Sequence, residues 1–353
     1  MIARQVVVLV AVVVAVSLGC GVVPAHAGTP GKNVPPGTIH IHGAGATFPA
    51  PLYKKWIEEY QKRRPEVMVS YDAVGSGEGV KEFMAGRVEF GASDAAMSDA
   101  QIAEVARGVQ LVPAVAGSIV LAYNLEGLGG DLRLTREVYV DIFLGKIKSW
   151  DDLRIKRINP ELNLPKSDIA LVVRQDGSGT TFAFTNHLSA ISDEWRDRGP
   201  GVGALIDWPG NAMAARGNEG VAGRIKLSWG SIGYVEYGMA RRAGLSMAWL
   251  ENKAGQFIEP HGGSGLATLL NTTLPENLRV FFPDPDGQES YPIVTYSWLL
   301  LYKQYDDAQK LGALKPFVRW CLSTGQEFNE SLGFVRLPPQ IIARAMEALD
   351  NIR

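Results

Sequence analysis

The chain has 353 residues, of which 46% are hydrophobic and 20% are charged, and its formal net charge is −2. This is the composition of a globular protein, and the length predicts about two domains. The near-neutral charge and the lack of a basic cluster argue against nucleic acid as a partner.

The N-terminus has the pattern of a secretory signal peptide. Arg4 precedes an apolar stretch, and residues 23–27 (VPAHA) end in an Ala-x-Ala site. We predict export, with cleavage after Ala27, and a polar spacer over residues 28–37. Lipid anchoring through Cys20 is the alternative, but Ser17 stands where lipoproteins usually carry leucine. Cleavage after Ala27 leaves Cys321 alone, which excludes an intrachain disulfide.

The first of three strand–turn–helix junctions follows the spacer. Residues 38–42 alternate as a strand, and apolar residues repeat every four positions over 52–60, as in one face of a helix. Ala46, Thr47 and Phe48 are therefore predicted at a helix N-terminus, where backbone N–H groups have no intrahelical partner.

The second junction joins a strand over residues 67–71 to a helix that Ser76 is placed to cap. The next strand, over residues 88–92, ends at Ser93 and Asp94. These residues put a hydroxyl and a carboxylate near the ends of two strands.

The third junction carries the most chemistry. An apolar strand over residues 169–173 runs into 174–182 (RQDGSGTTF), with Ser178 at or near a helix N-cap. A strand that enters a Gly-Ser-Gly turn before a helix aims free N–H groups and the positive end of the helix dipole at one point. With Arg174 beside it, this junction predicts an anion site.

Other motifs give only weak evidence for a different kind of site. His40 and His42 could chelate a metal across one strand face, but no third ligand lies near in the sequence, and we predict an ordinary strand and no metal or cofactor. A serine-hydrolase turn at Ser178 would need glycine where Asp176 stands. No Walker-type phosphate loop occurs.

Five segments together resemble the periplasmic phosphate-binding proteins of high-affinity phosphate ABC importers. They are 43–53 (GAGATFPAPLY), 91–95 (GASDA), 144–147 (LGKI), 174–180 (RQDGSGT) and 233–237 (GYVEY), in the family's order. The resemblance implies a family of binding proteins and not of enzymes. It also implies a set of phosphate ligands: Ala46, Thr47, Phe48, Ser76, Asp94, Arg174, Ser178, Gly179 and Thr180.

The chemistry of such a site suggests a role for two carboxylates, Asp94, which the resemblance places among the ligands, and Asp176, which lies two residues from Arg174. A carboxylate facing an oxyanion is repulsive unless it accepts a proton from the anion, so Asp94 would select protonated phosphate over sulfate. Asp176 is expected to pair with Arg174 and hold its orientation. This pairing is a hypothesis, and an unchanged affinity in Asp176→Asn would contradict it.

The fold class implied is α/β, with two lobes, crossover hinge strands and a ligand cleft between the lobes. The predicted first lobe comprises residues 38–116 and 292–353, and the second comprises 117–291. Elsewhere we predict loops over 208–221 and 251–277, a strand over 291–301, and helices over 308–322 and 339–348.

The predicted function is that of an exported, periplasmic and monomeric protein that captures inorganic phosphate. Its expected partners are the membrane permease and ATPase subunits of a phosphate ABC importer. Two alternatives use the same oxyanion pocket: a phosphate or arsenate sensor, and an exported phosphatase. A phosphatase needs a nucleophile or a metal pair, and the sequence offers neither.

Overall fold

The computed structural model describes residues 37–270 and 273–353. The predicted signal peptide, the cleavage site after Ala27, Cys20 and nearly all of the spacer lie outside the described residues. Within the described ranges, no helix is long and apolar enough to cross a membrane.

In the described part of the chain, helices separate most of the consecutive strands. The strands are β1 (Ile39–Gly45), β2 (Val67–Asp72), β3 (Phe90–Ser93), β4 (Val109–Tyr123), β5 (Arg133–Leu134), β6 (Ala170–Arg174), β7 (Met213–Ala215), β8 (Ser231–Glu236), β9 (Ser246–Met247), β10 (Trp249–Glu251), β11 (Phe257–Ile258) and β12 (Val294–Tyr302).

The α-helices alternate with these strands, and a 3-10 helix at Thr324–Phe328 lies between α11 and α12. They are α1 (Ala50–Arg63), α2 (Ser76–Met84), α3 (Asp99–Ala103), α4 (Arg136–Phe143), α5 (Leu153–Ile158), α6 (Gly179–Ile191), α7 (Asp193–Asp197), α8 (Gly217–Leu227), α9 (Tyr237–Ala243), α10 (Leu266–Leu270), α11 (Ala308–Leu322), α12 (Asn329–Leu332) and α13 (Pro339–Asp350).

One large sheet of nine strands runs through the protein. Its order is β2-β1-β3-β12-β4-β8-β6-β7, with β9 pairing on β4. The pairs β2–β1, β1–β3, β8–β6 and β6–β7 are parallel, whereas β12 and β4 are antiparallel to their neighbours. A small second sheet has the order β11-β10-β5.

Strand β4 connects the two halves of the large sheet. Its first part pairs with β12 as far as Ser118, and from Ile119 onward it pairs with β8. Fourteen of its fifteen residues are buried, in keeping with its long apolar sequence. The two parallel half-sheets therefore share one continuous, buried strand.

The core contains four fully buried tryptophan side chains, those of Trp56, Trp150, Trp195 and Trp298. Each donates its indole N–H to a backbone carbonyl oxygen at 2.7–2.8 Å. These bonds satisfy the polar group of each ring while its apolar surface is removed from water.

Most predicted elements are confirmed. Helix α11 has the predicted bounds, α13 extends two residues beyond them, and β2 and β6 lie within one residue of theirs. At the first junction Pro51 lies in the first turn of α1, where a missing N–H costs little, and Leu52, Trp56 and Tyr60 are buried.

Three predictions of loops or bounds were wrong. The predicted loop over 208–221 contains the start of α8, because Val221, Ala222 and Ile225 form a buried helical face. The predicted loop over 251–277 contains β11 and α10. The predicted strand at 291 begins at Val294 instead, because Pro292 has no N–H to donate to a ladder.

Candidate functional site

The residues predicted to bind an anion lie just beyond the carboxyl ends of parallel strands. Thr47 follows β1, Ser76 follows β2, Asp94 follows β3, and Ser178 follows β6. Strands β1, β2 and β3 run opposite to β6 and β8, because β3, β12, β4 and β8 form three successive antiparallel pairs. The carboxyl ends of the two sets therefore face each other beside the middle of β4. In α/β proteins ligands bind beyond such strand ends, where helix N-termini also lie.

Two Gly-Ser-Gly turns, at residues 75–77 and 177–179, pack directly against each other. The Gly77 N–H donates to the Gly177 carbonyl at 2.9 Å. A methyl group added to Gly179 would lie 2.6 Å from Asp94 Cβ and 2.6 Å from Ser76 Oγ. Only glycine permits this approach, so the start of α6 lies against Asp94 and Ser76.

Asp94 is the buried carboxyl of this site, with 1% of its surface exposed. Its Oδ2 accepts a hydrogen bond from the Thr180 hydroxyl at 3.3 Å, whereas Oδ1 has no hydrogen-bond partner among the described residues. Burial raises the pKa of the carboxyl to about 7, and the nearby Ser297 hydroxyl, the Arg174 charge and the Thr180 hydroxyl lower it in part. The Ser297 hydroxyl is too far or too poorly aligned to form a hydrogen bond with Oδ1. A buried acceptor of this kind is suited to an O–H donor.

Arg174 and Asp176 form the predicted ion pair. Arg174 Nε donates to Asp176 Oδ1 at 2.8 Å, and a second bond joins Nη2 to Oδ2, a bidentate arrangement. Asp176 Oδ1 also accepts from the Gly217 N–H at 3.0 Å. Although burial opposes it, pairing with Arg174 holds the pKa of Asp176 below its usual value. The guanidinium is therefore fixed in direction.

Ser178 caps α6, as predicted. Its Oγ accepts from the Thr181 N–H at 3.0 Å. Gly179 and Thr180 occupy the first two positions of the helix, and their N–H groups have no intrahelical carbonyl to bond. Tyr234 supports the same turn, because its hydroxyl lies 2.7 Å from Thr181 Oγ1 and accepts from the Arg174 N–H at 3.1 Å.

The prediction that Ser76 caps α2 was wrong. The N-cap is Gly75, whose φ of 98° is accessible to glycine, and Ser76 is the first helical residue. The Ser76 hydroxyl instead accepts from the Asp94 N–H at 3.3 Å. Ser76 thus lies in the predicted site, but through a different contact.

The three residues of the first predicted segment, Ala46, Thr47 and Phe48, contribute to the site in different ways. The Ala46 N–H donates to the Ala92 carbonyl at 2.9 Å, so it is already used. Phe48 is fully buried, with its ring 5.8 Å from that of Phe334. Thr47 presents its hydroxyl to the residues around Thr180.

Sequence reasoning missed Asn218, which lies in the predicted loop and is the second residue of α8. Its side chain is buried and contacts both Thr47 and Thr180. The available signal was the segment 217–225, where Gly217 and Glu219 precede the apolar positions of a helix, which would have predicted a fourth strand–turn–helix junction.

An open cleft of about 1130 Å³ leads to these residues. Thr47, Asp176 and Gly217 lie on its wall, which carries both basic and acidic side chains: Lys54, Lys81, Arg216, Arg242, Glu78 and Glu219. Arg174, Asp94 and Thr180 are buried behind this wall.

Comparison with known proteins identifies the family. The model of the PBP superfamily domain matches residues 26–324. Phosphate-binding protein PstS of Pasteurella multocida is 40% identical over 309 residues, which cover 86% of this chain and 88% of that protein. Phosphate-binding protein PstS of Haemophilus influenzae is 39% identical over 308 residues, covering 86% and 90%.

Solved structures share the fold. A high-affinity periplasmic phosphate-binding protein (PfluDING), bound with phosphate, matches with a TM-score of 0.73 at 22% identity, covering 86% of this chain and 92% of that one. A phosphate-binding protein from Stenotrophomonas maltophilia matches with a TM-score of 0.71 at 19% identity, covering 88% and 94%. The predicted two-lobe α/β fold is confirmed. The chain belongs to the PBP superfamily and, within it, to the PstS family of phosphate-binding proteins.

Proposed function

We propose that this protein captures inorganic phosphate in its cleft and delivers it to the permease of an ABC importer. The observation that carries the proposal is the buried Asp94 carboxyl, with one oxygen unpartnered, against the N-terminus of α6 and close to the fixed Arg174 guanidinium. The names of the related proteins support the same ligand.

The proposed contacts combine donors with one acceptor. Helix N-terminal N–H groups at Gly179 and Thr180, the hydroxyls of Thr47, Ser76 and Ser178, and the guanidinium of Arg174 donate to phosphate oxygens. The backbone N–H groups of Thr47 and Phe48 complete the proposed set. The family resemblance also implies Ala46, but its N–H already donates to Ala92. Asp176 is assigned the task of holding Arg174.

Asp94 provides the selectivity. At neutral pH phosphate carries at least one proton, whereas sulfate carries none. As a carboxylate, Asp94 accepts a hydrogen bond from the phosphate O–H but repels a bare sulfate oxygen, at a cost typical of a buried group without its partner. The pocket would therefore discriminate between two tetrahedral anions of similar size.

The lobe boundaries belong to the same proposal. We place the first lobe at residues 38–116 and 292–353 and the second at 117–291. The change of partner along β4 between Ser118 and Ile119 supports a hinge there. Residues of the two lobes are already in contact, since Thr180 bonds Asp94 and Gly77 bonds Gly177, so the proposed hinge motion is an opening that admits phosphate.

Membership of this family supports a proposal for location and partners. We propose that the protein is exported to the periplasm, is cleaved after Ala27 rather than anchored at Cys20, and acts as a monomer with permease and ATPase subunits. A structural relative is named as periplasmic, and the relatives by sequence are named as binding proteins and not as enzymes.

Calorimetric titration of the chain from Gly28 onward, stripped of ligand, tests this function. We expect inorganic phosphate to bind one-to-one and glycerol 3-phosphate not to bind, because a site that holds all four oxygens excludes an ester. Incubation with p-nitrophenyl phosphate should release no product. Binding of the ester, or its hydrolysis, would contradict the proposal and favour a phosphatase.

A further inference from the structure

Asn218 connects two hydroxyl groups of the site that are far apart in sequence. Its Nδ2 donates to Thr47 Oγ1 at 3.1 Å and to Thr180 Oγ1 at 3.0 Å. Its backbone N–H also donates to Thr47 Oγ1 at 3.0 Å. The side chain is 1% exposed, so these bonds form out of contact with water.

The orientation of the amide is determined by a third contact. Asn218 Oδ1 accepts from the backbone N–H of Glu236 at 3.0 Å. Since a backbone N–H can only donate, the oxygen must face Glu236, and the NH₂ group must face the two threonines. The amide therefore acts toward Thr47 and Thr180 only as a donor.

Because Asn218 donates a hydrogen bond to each hydroxyl group, it determines which further hydrogen bonds that hydroxyl can form. A hydroxyl group has one hydrogen and two acceptor lone pairs. Thr47 Oγ1 accepts two N–H bonds from Asn218, so only its hydrogen remains available. Thr180 Oγ1 accepts one bond and points its hydrogen at Asp94 Oδ2, 3.3 Å away.

We infer that Asn218 is a positioning residue that makes Thr47 a donor toward an anion oxygen and Thr180 a donor toward Asp94. The inference rests on the proposed phosphate function and deepens it. Thr47 can then act only as a donor, for which an unprotonated phosphate oxygen is the stronger acceptor, and Asp94 accepts the hydrogen of the protonated oxygen. Asn218 thereby distinguishes phosphate oxygens that accept a hydrogen bond from the one that donates a hydrogen bond to Asp94.

Asn218→Asp tests this role, because the introduced carboxylate has the same shape but accepts where the amide donates. Both threonine hydroxyls would turn toward it and away from the anion. We expect phosphate to bind on the order of 100-fold more weakly than to the wild type at pH 8. At pH 5 the protonated acid can donate again, and the deficit should shrink by about tenfold or more.

Other ionisable groups near this position contribute to any pH profile, so affinities are expressed as ratios to the wild type at each pH. On its own and neighbouring elements these groups are Asp94, Arg174, Asp176, Arg216, Glu219, Glu236 and Arg242. Their contribution cancels in the ratio to the extent that they titrate alike in both proteins. The pH dependence of the ratio follows the charge of the introduced carboxyl, which also repels the anion. A loss of affinity in the neutral Asn218→Ala variant is therefore needed to assign the effect to the lost donor.

Asn159 offers a matched control. It is also 1% exposed, and its amide bonds backbone groups of Arg133 and Ile155. Asn159→Asp should lower the thermal midpoint and leave the affinity ratio for phosphate near one at every pH. If Asn218→Asp does not fold, Asn218→Ala should weaken phosphate binding about tenfold, whereas Asn159→Ala changes only stability.

The outcomes separate the two proposals. If the wild type binds no phosphate, the proposed function is wrong. If the wild type binds phosphate and Asn218→Asp matches it at both pH values, or Asn218→Ala binds equally well, only the role of Asn218 is overturned. Weakening in both variants, with recovery of Asn218→Asp at pH 5, supports the inference.

Discussion

The buried Asp94 carboxyl lowers the unfolding free energy of the ligand-free protein by an amount that depends on pH. Burial raises the pKa of its carboxyl from an ordinary 3.8 to about 7. A carboxyl whose folded pKa is raised favours folding when protonated, so its contribution is lost as pH rises through the folded pKa. Between about pH 4 and pH 7 the ligand-free protein therefore loses stability through this one group.

Asp94→Asn should stabilise the ligand-free protein at alkaline pH, because a neutral amide needs no proton to remain buried. We expect the gain in unfolding free energy to grow between pH 4 and pH 7 to a few kcal/mol and to stay level above it. Denaturant unfolding in phosphate-free buffer measures the gain. Asp131→Asn, at an exposed position, is the control and should show no such rise. A gain independent of pH would contradict the raised pKa.

Individual site residues could be predicted from the sequence where the residues in contact belong to one short motif. The Arg174–Asp176 pair joins neighbours two positions apart, and Ser178 caps the helix that follows it. Asn218 could not be found in this way, because its partner Thr47 lies 171 positions away. Such a contact depends on the folding of the whole sheet and leaves no local pattern.

At the scale of the elements, helix α6 closely approaches the residues beyond β2 and β3 at its first residue. Gly179 allows the α6 N-terminus to reach Asp94 and Ser76, and the turn before α2 touches the turn before α6. The free N–H groups of α6 therefore face the residues beyond β2 and β3.

Gly179→Ala should weaken phosphate binding by about 10- to 100-fold, because the methyl group would lie 2.6 Å from Asp94 Cβ and push the two sides apart. Gly223→Ala, inside α8, is the matched control, since nothing lies within 4 Å of the added methyl group. That substitution should raise stability by about 0.5–1 kcal/mol and leave binding unchanged. Equal affinities in the two variants, measured by calorimetry, would show that the close approach does not matter for binding.

Element bounds were predictable where apolar periodicity was strong, as in α1 and α11. They were less predictable where glycine lies at the capping position or directly after it. At α2 the serine expected to cap the helix is preceded by Gly75 with a positive φ, and at α8 the helix begins inside a segment rich in glycine. Local composition in these places favours a turn, and burial of one helical face against the sheet decides the outcome.

At the scale of the whole molecule, β4 joins two half-sheets whose parallel strands run in opposite directions, so that their carboxyl ends face each other. The α/β class could be predicted from the alternation of elements, and the two-lobe arrangement from the family resemblance. The hinge itself stays a prediction, and with it the opening that would admit an anion between the lobes.

Titration of the stripped protein with phosphate and sulfate at pH 8 and pH 6 tests the central claim, that Asp94 makes the cleft selective for a protonated anion. Phosphate should bind one-to-one at both pH values. Sulfate needs a protonated Asp94, so its affinity should fall about tenfold per pH unit above 7 and level off below. Asp94→Asn should bind sulfate equally at both. Equal wild-type affinities for phosphate and sulfate at pH 8 would contradict the account.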